Sequence, residues 1–241
     1  MRAQIRRYRV AGRTLDIAGT DGVHAPGAAR TEPLGLLPVR PGDRVLDLGC
    51  GCGLYGLAAA RLGAGEVVLT DIDPAAVACA RRNAARNGVR RARFVVGDFF
   101  VPCGGERFDL IIAILPQTPG PRPHVAARWG GRDGTDHLRR LLREAPRHLA
   151  PGGRLFFLLQ DLADSRRVLA LARARFVVRV VRRSERPFRP STYEKLQPGL
   201  FAYLERLRRK GKSRFRKRGK GYRFVRRFLV ASSRDMSRMP S

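Results

Sequence analysis

Short apolar segments alternate with longer amphipathic segments through the middle of the chain. Six apolar segments predict β-strands, at residues 44–48, 66–72, 92–98, 108–115, 154–161 and 176–181. The segments between them predict helices, at residues 54–63, 73–88, 133–149 and 164–174. Asp73 and Pro74 have the residue types of a helix N-cap and a first helical position. This alternation predicts a mostly parallel sheet with helices on both faces.

The central strands contain few polar residues. The segments LIIAIL and LFFLL lack the polar–apolar alternation of strands with one solvated face, so they are typical of strands that are buried on both faces. The fold class is therefore α/β, with an open Rossmann-like sheet that binds its ligand beyond the carboxyl ends of the strands. Residues 7–19 alternate loosely and predict a separate N-terminal hairpin.

The chain is strongly basic. It contains 49 lysine and arginine residues against 20 acidic residues, which gives a formal net charge of +29. About two thirds of that net charge lies in the last third of the sequence. Such a charge attracts polyanions and favours a nucleic-acid partner over a membrane.

Residues 206–227 are the expected RNA-binding segment. Aromatic residues interleave there with dense arginine and lysine, which suits contacts with phosphates and stacking on unpaired bases. The simpler interpretation is that residues 200–207 form an amphipathic helix that packs its aromatic side chains. Residues 208–221 would then form a mobile basic loop outside the fold.

The sequence indicates a cytoplasmic protein. No apolar run approaches the roughly 18 residues of a membrane-spanning helix, and the N-terminal residues lack the apolar core of a signal peptide. The four cysteines, at positions 50, 52, 79 and 103, form no C-x-x-C pair. We therefore expect neither a metal site nor a disulfide.

The segment LDLGCGCGLYG fits two nucleotide-binding patterns. Gly51, Gly53 and Gly56 spell the G-x-G-x-x-G of a dinucleotide-binding turn, whereas Asp47, Gly49 and the first two of these glycines spell D-x-G-x-G-x-G. A carboxylate here would repel a pyrophosphate but suits a cofactor that carries a sulfonium and an ammonium group. The second pattern is therefore preferred, and Gly56 is expected to serve the packing of a helix on the sheet.

Two further carboxylates follow the next predicted strands. Asp71 ends the second strand, where a carboxylate can accept hydrogen bonds from both hydroxyls of a ribose. Asp98 ends the third strand, where it can accept a hydrogen bond from the amino group of adenine. Asp71 would also suit a nicotinamide-dependent enzyme, so Asp98 is the residue that favours methyl transfer.

These segments resemble the class I S-adenosylmethionine-dependent methyltransferases. VLDLGCGCG, TDIDP and VVGDFF match the first three cofactor motifs of that family in order and spacing. The resemblance implies S-adenosyl-L-methionine as the cofactor and a seven-stranded sheet with an antiparallel last strand, for which residues 228–233 are the candidate. It implies cofactor binding by Asp47, Gly49, Gly51, Gly53, Asp71, Ile72, Asp98 and Phe99.

Residues 20–180 resemble, more narrowly, the small-domain branch of that family, which contains release-factor glutamine methyltransferases and enzymes that methylate nitrogens of RNA bases. Residues 22–37 resemble its cofactor-covering segment, and residues 130–142 resemble its Gly-Gly-x-Asp-Gly loop and the following helix. The branch carries Asn-Pro-Pro after the fourth strand. In it the Asn side chain and a proline carbonyl accept hydrogen bonds from a planar NH₂ group and orient its nitrogen.

This chain departs from the branch at that motif. The three positions are Ile114, Leu115 and Pro116, and isoleucine cannot accept a hydrogen bond. Three explanations remain open: another side chain substitutes, the methyl acceptor is of a different kind, or the protein binds without catalysing. Gln117 and His124 are the candidate catalytic residues for the first explanation.

Each candidate also has a simpler structural interpretation. Gln117 and His124 are typical of solvated loops. Trp129 either stacks on a base or closes the edge of the sheet. Ile114, Pro116 and Trp129 are the expected substrate-binding residues.

We expect three parts in the chain. Residues 1–40 form the hairpin and the cofactor-covering segment, residues 41–184 the S-adenosylmethionine-binding core, and residues 185–241 a basic insertion with the final strand. The leading hypothesis is a methyltransferase that acts by direct displacement on RNA or a ribosome-associated substrate. The alternatives are a small-molecule methyltransferase and a non-catalytic RNA-binding module on the same scaffold.

Overall fold

The structure, a computed structural model, describes residues 5–20, 22–23 and 33–233. The strands are β1 (Ile5–Val10), β2 (Arg13–Ala18), β3 (Arg44–Leu48), β4 (Glu66–Asp71), β5 (Ala92–Val96), β6 (Phe108–Ala113), β7 (Leu149–Gln160), β8 (Phe176–Phe188), β9 (Arg216–Arg218) and β10 (Gly221–Ser233). The helices are α1 (Leu54–Arg61), α2 (Pro74–Arg86), α3 (Asp136–His148), α4 (Ser165–Arg175), α5 (Pro190–Glu194) and α6 (Leu200–Arg209). Residues 24–32 of the expected cofactor-covering segment lie outside the described residues.

One sheet contains all the strands from β3 onwards. Seven of them follow the order β5-β4-β3-β6-β7-β10-β8, and β9 pairs with β10. β3 is parallel to β4 and β6, and β4 is parallel to β5, whereas β10 is antiparallel to β8. The predicted α/β class, the mostly parallel sheet and the antiparallel last strand are therefore confirmed. The short β9 is an addition that the sequence pattern did not predict.

The contacts within the chain divide it into two compact units, and the chain passes between them after β6, inside α3 and inside β7. The first unit contains the described residues up to 114 and residues 144–156. The second contains residues 115–143 and 157–233. Residue 184, where the sequence predicts a boundary, lies within β8. None of the described helices is long and apolar enough to cross a membrane.

The central parallel strands β3 and β4 of the first unit are buried on both faces. In β3 every residue after Arg44 is buried, as are the four central residues of β4. The register sets Asp47 opposite Leu69 and Asp71 opposite Val96. β3, β4 and β5 consequently end at one edge of the sheet. As predicted, Asp73 caps α2 by accepting the N–H of Ala75 at 2.8 Å.

The predicted N-terminal hairpin is present as β1 and β2. It is joined to α2 by two asparagines. The Asn87 side chain exchanges two hydrogen bonds with the backbone of Asp16, at 2.9 and 2.8 Å. Asn83 does the same with Ala18, at 3.0 and 2.9 Å. Because a side-chain amide offers both a donor and an acceptor, the two asparagines pair with β2 much as a neighbouring strand would.

An aromatic cluster holds the second unit together. The ring of Phe188, at the end of β8, lies 5.1 Å from that of Tyr193 and 5.5–5.8 Å from the rings of Phe215, Tyr222 and Phe224. The amphipathic helix predicted at residues 200–207 is present as α6 and packs against this cluster.

The basic segment at residues 208–221 is exposed over most of its length, but residues 213–215 pack into the second unit and residues 216–218 form β9. This corrects the prediction of a loop that lies wholly outside the fold. Ser213 is 1% exposed, and the N–H of Arg214 donates to the carbonyl of Asp161 at 2.6 Å. Phe215 and Phe224 have at most 7% of their surface exposed. These rings pack on one another, so the expectation that they stack on unpaired bases was wrong.

A buried ion pair joins the residue before β3 to β7. Asp43 and Arg154 are each 7% exposed at the side chain, and the guanidinium bonds the Asp43 carboxylate and the carbonyl of Pro38. We predict that Arg154→Met lowers the free energy of unfolding in urea by about 3–5 kcal/mol, because it leaves a buried carboxylate without its partner.

The matched control is Arg7→Met. It breaks an ion pair between Arg7, whose side chain is 74% exposed, and Asp16. A much smaller loss is expected, because an ion pair this exposed to water contributes little to stability. Equal losses in the two variants would contradict the prediction.

Candidate functional site

Three adjacent parallel strands of the first unit lead into carboxylates at one edge. Asp47 lies in β3, Asp71 ends β4, and Asp98 follows β5 by two residues. The N–H of Gly97 donates to the Asp71 carbonyl at 2.9 Å, which continues the pairing of β4 and β5 past the end of β5. The structure thus brings the expected cofactor-binding residues of three strands to the edge where open α/β sheets bind ligands.

The glycine turn after β3 points a backbone N–H group toward the side chain of Asp71. Gly49, Gly51 and Gly53 have φ values of +70°, +53° and +82°, which side-chain-bearing residues rarely adopt. The N–H of Gly51 donates to Asp71 Oδ2 at 2.9 Å, and the N–H of Asp73 donates to Oδ1 at 3.1 Å. These bonds fix a partly exposed carboxylate whose remaining lone pairs suit two neighbouring hydroxyls.

Asp47 is buried against α1. Only 2% of it is exposed, and its Oδ2 accepts the N–H of Gly56 at 2.7 Å. A Cβ at position 56 would lie 2.8 Å from Leu69 Cδ2 and 3.0 Å from Asp47 Oδ2, so glycine is needed for this approach. The packing role predicted for Gly56 is confirmed, and the G-x-G-x-x-G pattern follows from it.

Burial raises the pKa of Asp47 to about 7. The hydrogen bond from Gly56 opposes this shift, while the negative charge of Asp71 adds to it. A cation beside the carboxylate would favour its ionised form and lower its pKa. Burial also raises the pKa of the Cys52 thiol to about 12 and that of Cys50 still further. Both thiols therefore stay neutral and add no charge to the turn.

Two apolar residues follow the outer carboxylates. Ile72 is 68% exposed, which is unusual for an isoleucine directly after a buried strand. Phe99 has a φ of +50°, in the left-handed region that aromatic residues seldom adopt. Strained conformations of this kind cluster at ligand-binding sites.

Asn83 supports the turn and was missed by the sequence analysis. Its fully buried Nδ2 donates to the carbonyl of Cys52 at 2.9 Å in addition to its bonds with the hairpin. It therefore links α2, the hairpin and the glycine turn. The available signal was the pair Asn83 and Asn87, four residues apart on one helix, where two polar side chains share the apolar face.

The structure contradicts a catalytic role for Gln117. The side chain is 2% exposed, so it is not the solvated loop residue of the simpler interpretation either. Its Nε2 donates to the carbonyls of Leu158 at 2.9 Å and Leu115 at 3.3 Å, and its Oε1 accepts the N–H of Gln160 at 2.8 Å. Both amide hydrogens are thus used in fastening the loop to β7.

The loop that carries Pro116 and Gln117 packs closely on the Gly-Gly-x-Asp-Gly loop. A Cβ at Gly130 would lie 2.8 Å from the carbonyl oxygen of Pro116, and one at Gly134 would lie 2.5 Å from that of Gln117. The glycines allow this approach. Pro116 remains partly exposed, as does Ile114 at the end of the first unit.

His124 is poorly placed to act as a base. Its Nδ1 accepts the N–H of Val125 at 2.8 Å. Its Nε2 is buried against Gly120, since a Cβ added to that glycine would lie only 3.2 Å from it. Burial lowers its pKa, so the ring is neutral at pH 7 with its proton on Nε2. In this conformation neither nitrogen has an accessible lone pair, which contradicts the catalytic assignment.

Trp129 is anchored within the second unit and partly exposed. Its indole N–H donates to the Gly120 carbonyl at 3.3 Å, and its backbone pairs with that of Thr118 in an isolated β-bridge. These bonds hold Trp129 within its own loop, and its exposed part remains a candidate substrate contact.

Residues 34–186 match the model of the methyltransferase small-domain family. This chain belongs to that family. The resemblance drawn from the cofactor motifs is thereby confirmed, and it places the chain among the S-adenosylmethionine-dependent methyltransferases.

Two curated relatives act in translation according to their names. A release factor glutamine methyltransferase from Cereibacter sphaeroides is 36% identical over 73% of this chain and 64% of its own length. A ribosomal protein uL3 glutamine methyltransferase from Bradyrhizobium diazoefficiens is 41% identical over 47% of this chain and 39% of its own length. This chain therefore spans less than two thirds of either relative.

A solved structure shares the fold. It is a 16S rRNA methyltransferase from Thermus thermophilus in complex with AdoMet and guanosine, similar with a TM-score of 0.56. The similarity covers 96% of this chain and 50% of that one, at 22% identity, which supports the fold alone.

The raised pKa of Asp47 predicts a stabilising substitution. Between pH 3.8, the ordinary pKa, and about pH 7, the folded state keeps a proton that the unfolded state releases, so this group's contribution to stability falls as pH rises. Asp47→Asn removes the charge and keeps the acceptor for Gly56. At pH 8 it should raise the free energy of unfolding by on the order of 2–4 kcal/mol.

Thermal unfolding at pH 4 and pH 8, without cofactor, checks this prediction. The variant and the wild type should unfold at similar temperatures at pH 4. A variant that unfolds earlier than the wild type at pH 8 would show that ionised Asp47 is stabilised by its surroundings.

Proposed function

We propose that this protein transfers the methyl group of S-adenosyl-L-methionine to RNA or to a ribosome-associated substrate. The observation that carries the proposal is the line of carboxylates, Asp47, Asp71 and Asp98, at the ends of three adjacent parallel strands. S-adenosyl-L-methionine supplies a methyl carbon made electrophilic by a positively charged sulfur. The residues at this edge have the chemistry to bind it.

Each carboxylate has a separate proposed role. Asp47, ionised by a neighbouring cation, would attract the sulfonium and ammonium end of the cofactor. Asp71, held by two backbone N–H groups, would accept the ribose hydroxyls. Asp98 would accept the adenine amino group, and Ile72 and Phe99 would add apolar contacts. The glycine turn would let the backbone approach the cofactor without a clash.

The methyl acceptor is proposed from charge and from the relatives. A net charge of +29 favours a polyanion, and the similar proteins are named for release-factor, ribosomal-protein and rRNA substrates. A small-molecule acceptor is the alternative that Ile114 supports. A non-catalytic scaffold is disfavoured, because a buried carboxylate with a pKa near 7 lowers stability without a ligand.

Direct displacement depends on orientation more than on a strong base. That requirement fits a loop in which Gln117 is used structurally and His124 has no accessible lone pair. Ile114, Pro116 and Trp129 remain the proposed substrate-binding residues, since each keeps part of its surface exposed.

The first test is the transfer of labelled methyl from S-adenosyl-L-methionine into an extract of source cells that lack the gene. We expect label in ribonuclease-sensitive or ribosome-associated material with the wild-type protein. With Asp47→Asn, which is expected to fold, incorporation should fall by about 100-fold or more because the cofactor loses its charged partner.

The fraction in which the methyl label appears distinguishes the proposed substrate from the alternatives. Label that resists both ribonuclease and protease and passes a small-pore filter would replace the proposed substrate with a small molecule. No label in any fraction, together with no binding of the cofactor by calorimetry, would reject methyl transfer. Unchanged incorporation with Asp47→Asn would reject the proposed role of that carboxylate.

A second prediction concerns the missing acceptor group. Ile114→Asn with Leu115→Pro restores the side chains that hold a planar nitrogen in the small-domain branch. We expect transfer to a glutamine-containing peptide to rise by about tenfold or more, because the nitrogen gains an orienting hydrogen bond. Cofactor affinity should stay unchanged, and Ile114→Val is the control. Equal rates in both variants would show that position 114 does not face the acceptor.

A further inference from the structure

A cavity of about 330 Å³ lies entirely within the second unit. It is bordered by residues of β8 and β10 and by the segment that follows α6. Six arginines line it: Arg166, Arg183, Arg208, Arg214, Arg216 and Arg223. Only two carboxylates, Asp161 and Glu185, line it with them. Such an excess of cationic side chains around one opening favours an anion.

The two carboxylates are already engaged. Asp161 accepts hydrogen bonds from Ser165 at 2.6 Å and from Arg227 at 2.6 and 3.0 Å, and it pairs with Arg214 at 3.3 Å. Burial opposes its ionisation, but the hydrogen bonds from Arg227 and Ser165 outweigh burial and lower its pKa. Asp161 therefore stays ionised and holds the arginine side chains around it.

Glu185 is engaged in the same way. It forms ion pairs with Arg216 and with Arg223, the latter at 3.9 Å. Arg166 and Arg183 are different, because the side chain of neither forms a hydrogen bond or ion pair with any residue in the described part of the chain. Among the described residues, these two guanidinium groups at the cavity therefore have no counter-charge.

A buried hydroxyl provides an independent indication of a ligand. Ser213 is 1% exposed and lines the cavity, and its Oγ has no hydrogen-bond partner among the described residues. A buried hydroxyl without a partner costs about 1–3 kcal/mol. A ligand oxygen in the cavity would accept its hydrogen and remove that cost.

The aromatic residues at the cavity argue against recognition of a nucleic-acid base. Phe215 and Phe224 line it, but each lies in the cluster around Phe188, at 5.5 and 5.8 Å between ring centroids. Both rings are almost fully buried, at 7% and 5% exposed, so a base has no platform on which to stack. Guanidinium forks and a hydroxyl donor match the tetrahedral oxygens of phosphate.

We propose that this cavity binds a backbone phosphate of an RNA strand, with Arg166, Arg183 and Ser213 as the donors. The phosphate chemistry stands on the cavity itself, while the choice of RNA as its source rests on the proposed function. Because only phosphate is recognised, binding is independent of base sequence. The site anchors the substrate separately from the residues that bind the cofactor.

The test measures the affinity of the full chain for a fluorescein-labelled single-stranded RNA of random sequence, by fluorescence anisotropy without cofactor. We expect the double variant Arg166→Gln, Arg183→Gln to bind at least about tenfold more weakly and to lower the slope of log K against log salt by about 0.7, the value for one lost phosphate contact on a single strand. The control, Arg82→Gln with Arg90→Gln, removes the same charge from exposed positions elsewhere. It should lose less than about threefold.

The variant Ser213→Ala distinguishes an effect on RNA binding from an effect on folding. Removing a buried hydroxyl that has no partner should leave the unfolding temperature unchanged or raise it, while RNA affinity falls by about threefold or more. Equal losses of affinity in the cavity and control variants, with no effect of Ser213→Ala, would overturn the proposal.

Inorganic phosphate distinguishes the source of the ligand. At matched ionic strength it should raise the unfolding temperature of the wild type but not of the cavity variant. If phosphate protects while RNA affinity is unaffected by the cavity variants, the site takes a free phosphate or a small phosphate ester, and the RNA assignment is overturned. Cavity-dependent RNA binding without methyl transfer to RNA or to ribosome-associated material would keep this inference and reject the proposed function. Methyl transfer to either of these without cavity-dependent RNA binding would keep the proposed function and reject this inference.

Discussion

The buried carboxylate of Asp47 is the constraint on which the first unit depends. Placing it among the buried, otherwise apolar residues of β3 raises its pKa to about 7 and requires a backbone N–H within hydrogen-bond reach. Gly56 supplies that N–H because it has no Cβ to collide with Leu69. The approach of α1 to the sheet and the shape of the glycine turn follow from this contact. An acid in this position lowers stability until a cation binds, as expected of a functional residue rather than a structural one.

The cofactor edge could be predicted from sequence because its determinants are local. Each carboxylate lies at or near the end of an apolar strand, and parallel strands of similar length end at one edge, so the order of segments along the chain was enough to place Asp47, Asp71 and Asp98 together. The cap at Asp73 and the hairpin β1–β2 were predictable for the same reason. The attachment of that hairpin by Asn83 was not, since it depends on which face of α2 meets β2.

The loop after β6 and the basic segment were predicted less well because their structure is decided by distant contacts. Gln117 is polar and follows a proline, as solvated loop residues do, yet its amide completes the hydrogen bonding of β7. Phe215 is surrounded in sequence by arginine and lysine, yet its ring joins a cluster centred on Phe188. In both cases the partner lies more than 25 residues away in the chain, and local pattern carries no information about it.

The distribution of ion pairs gives the large positive charge a more specific meaning than its total. With 20 acidic residues for 49 basic ones, more than half of the basic residues cannot have a carboxylate of their own, so an unpaired arginine on the surface is unremarkable here. The informative observation is where the carboxylates lie. Asp161 and Glu185 pair with three arginines that line one cavity, and Asp161 pairs also with Arg227, which does not line it. The side chains of Arg166 and Arg183 line the same cavity and pair with no described residue. Carboxylates that position cations without neutralising the group as a whole create a preorganised site for an anion. The charge of the second unit is therefore better explained by this arrangement than by composition alone.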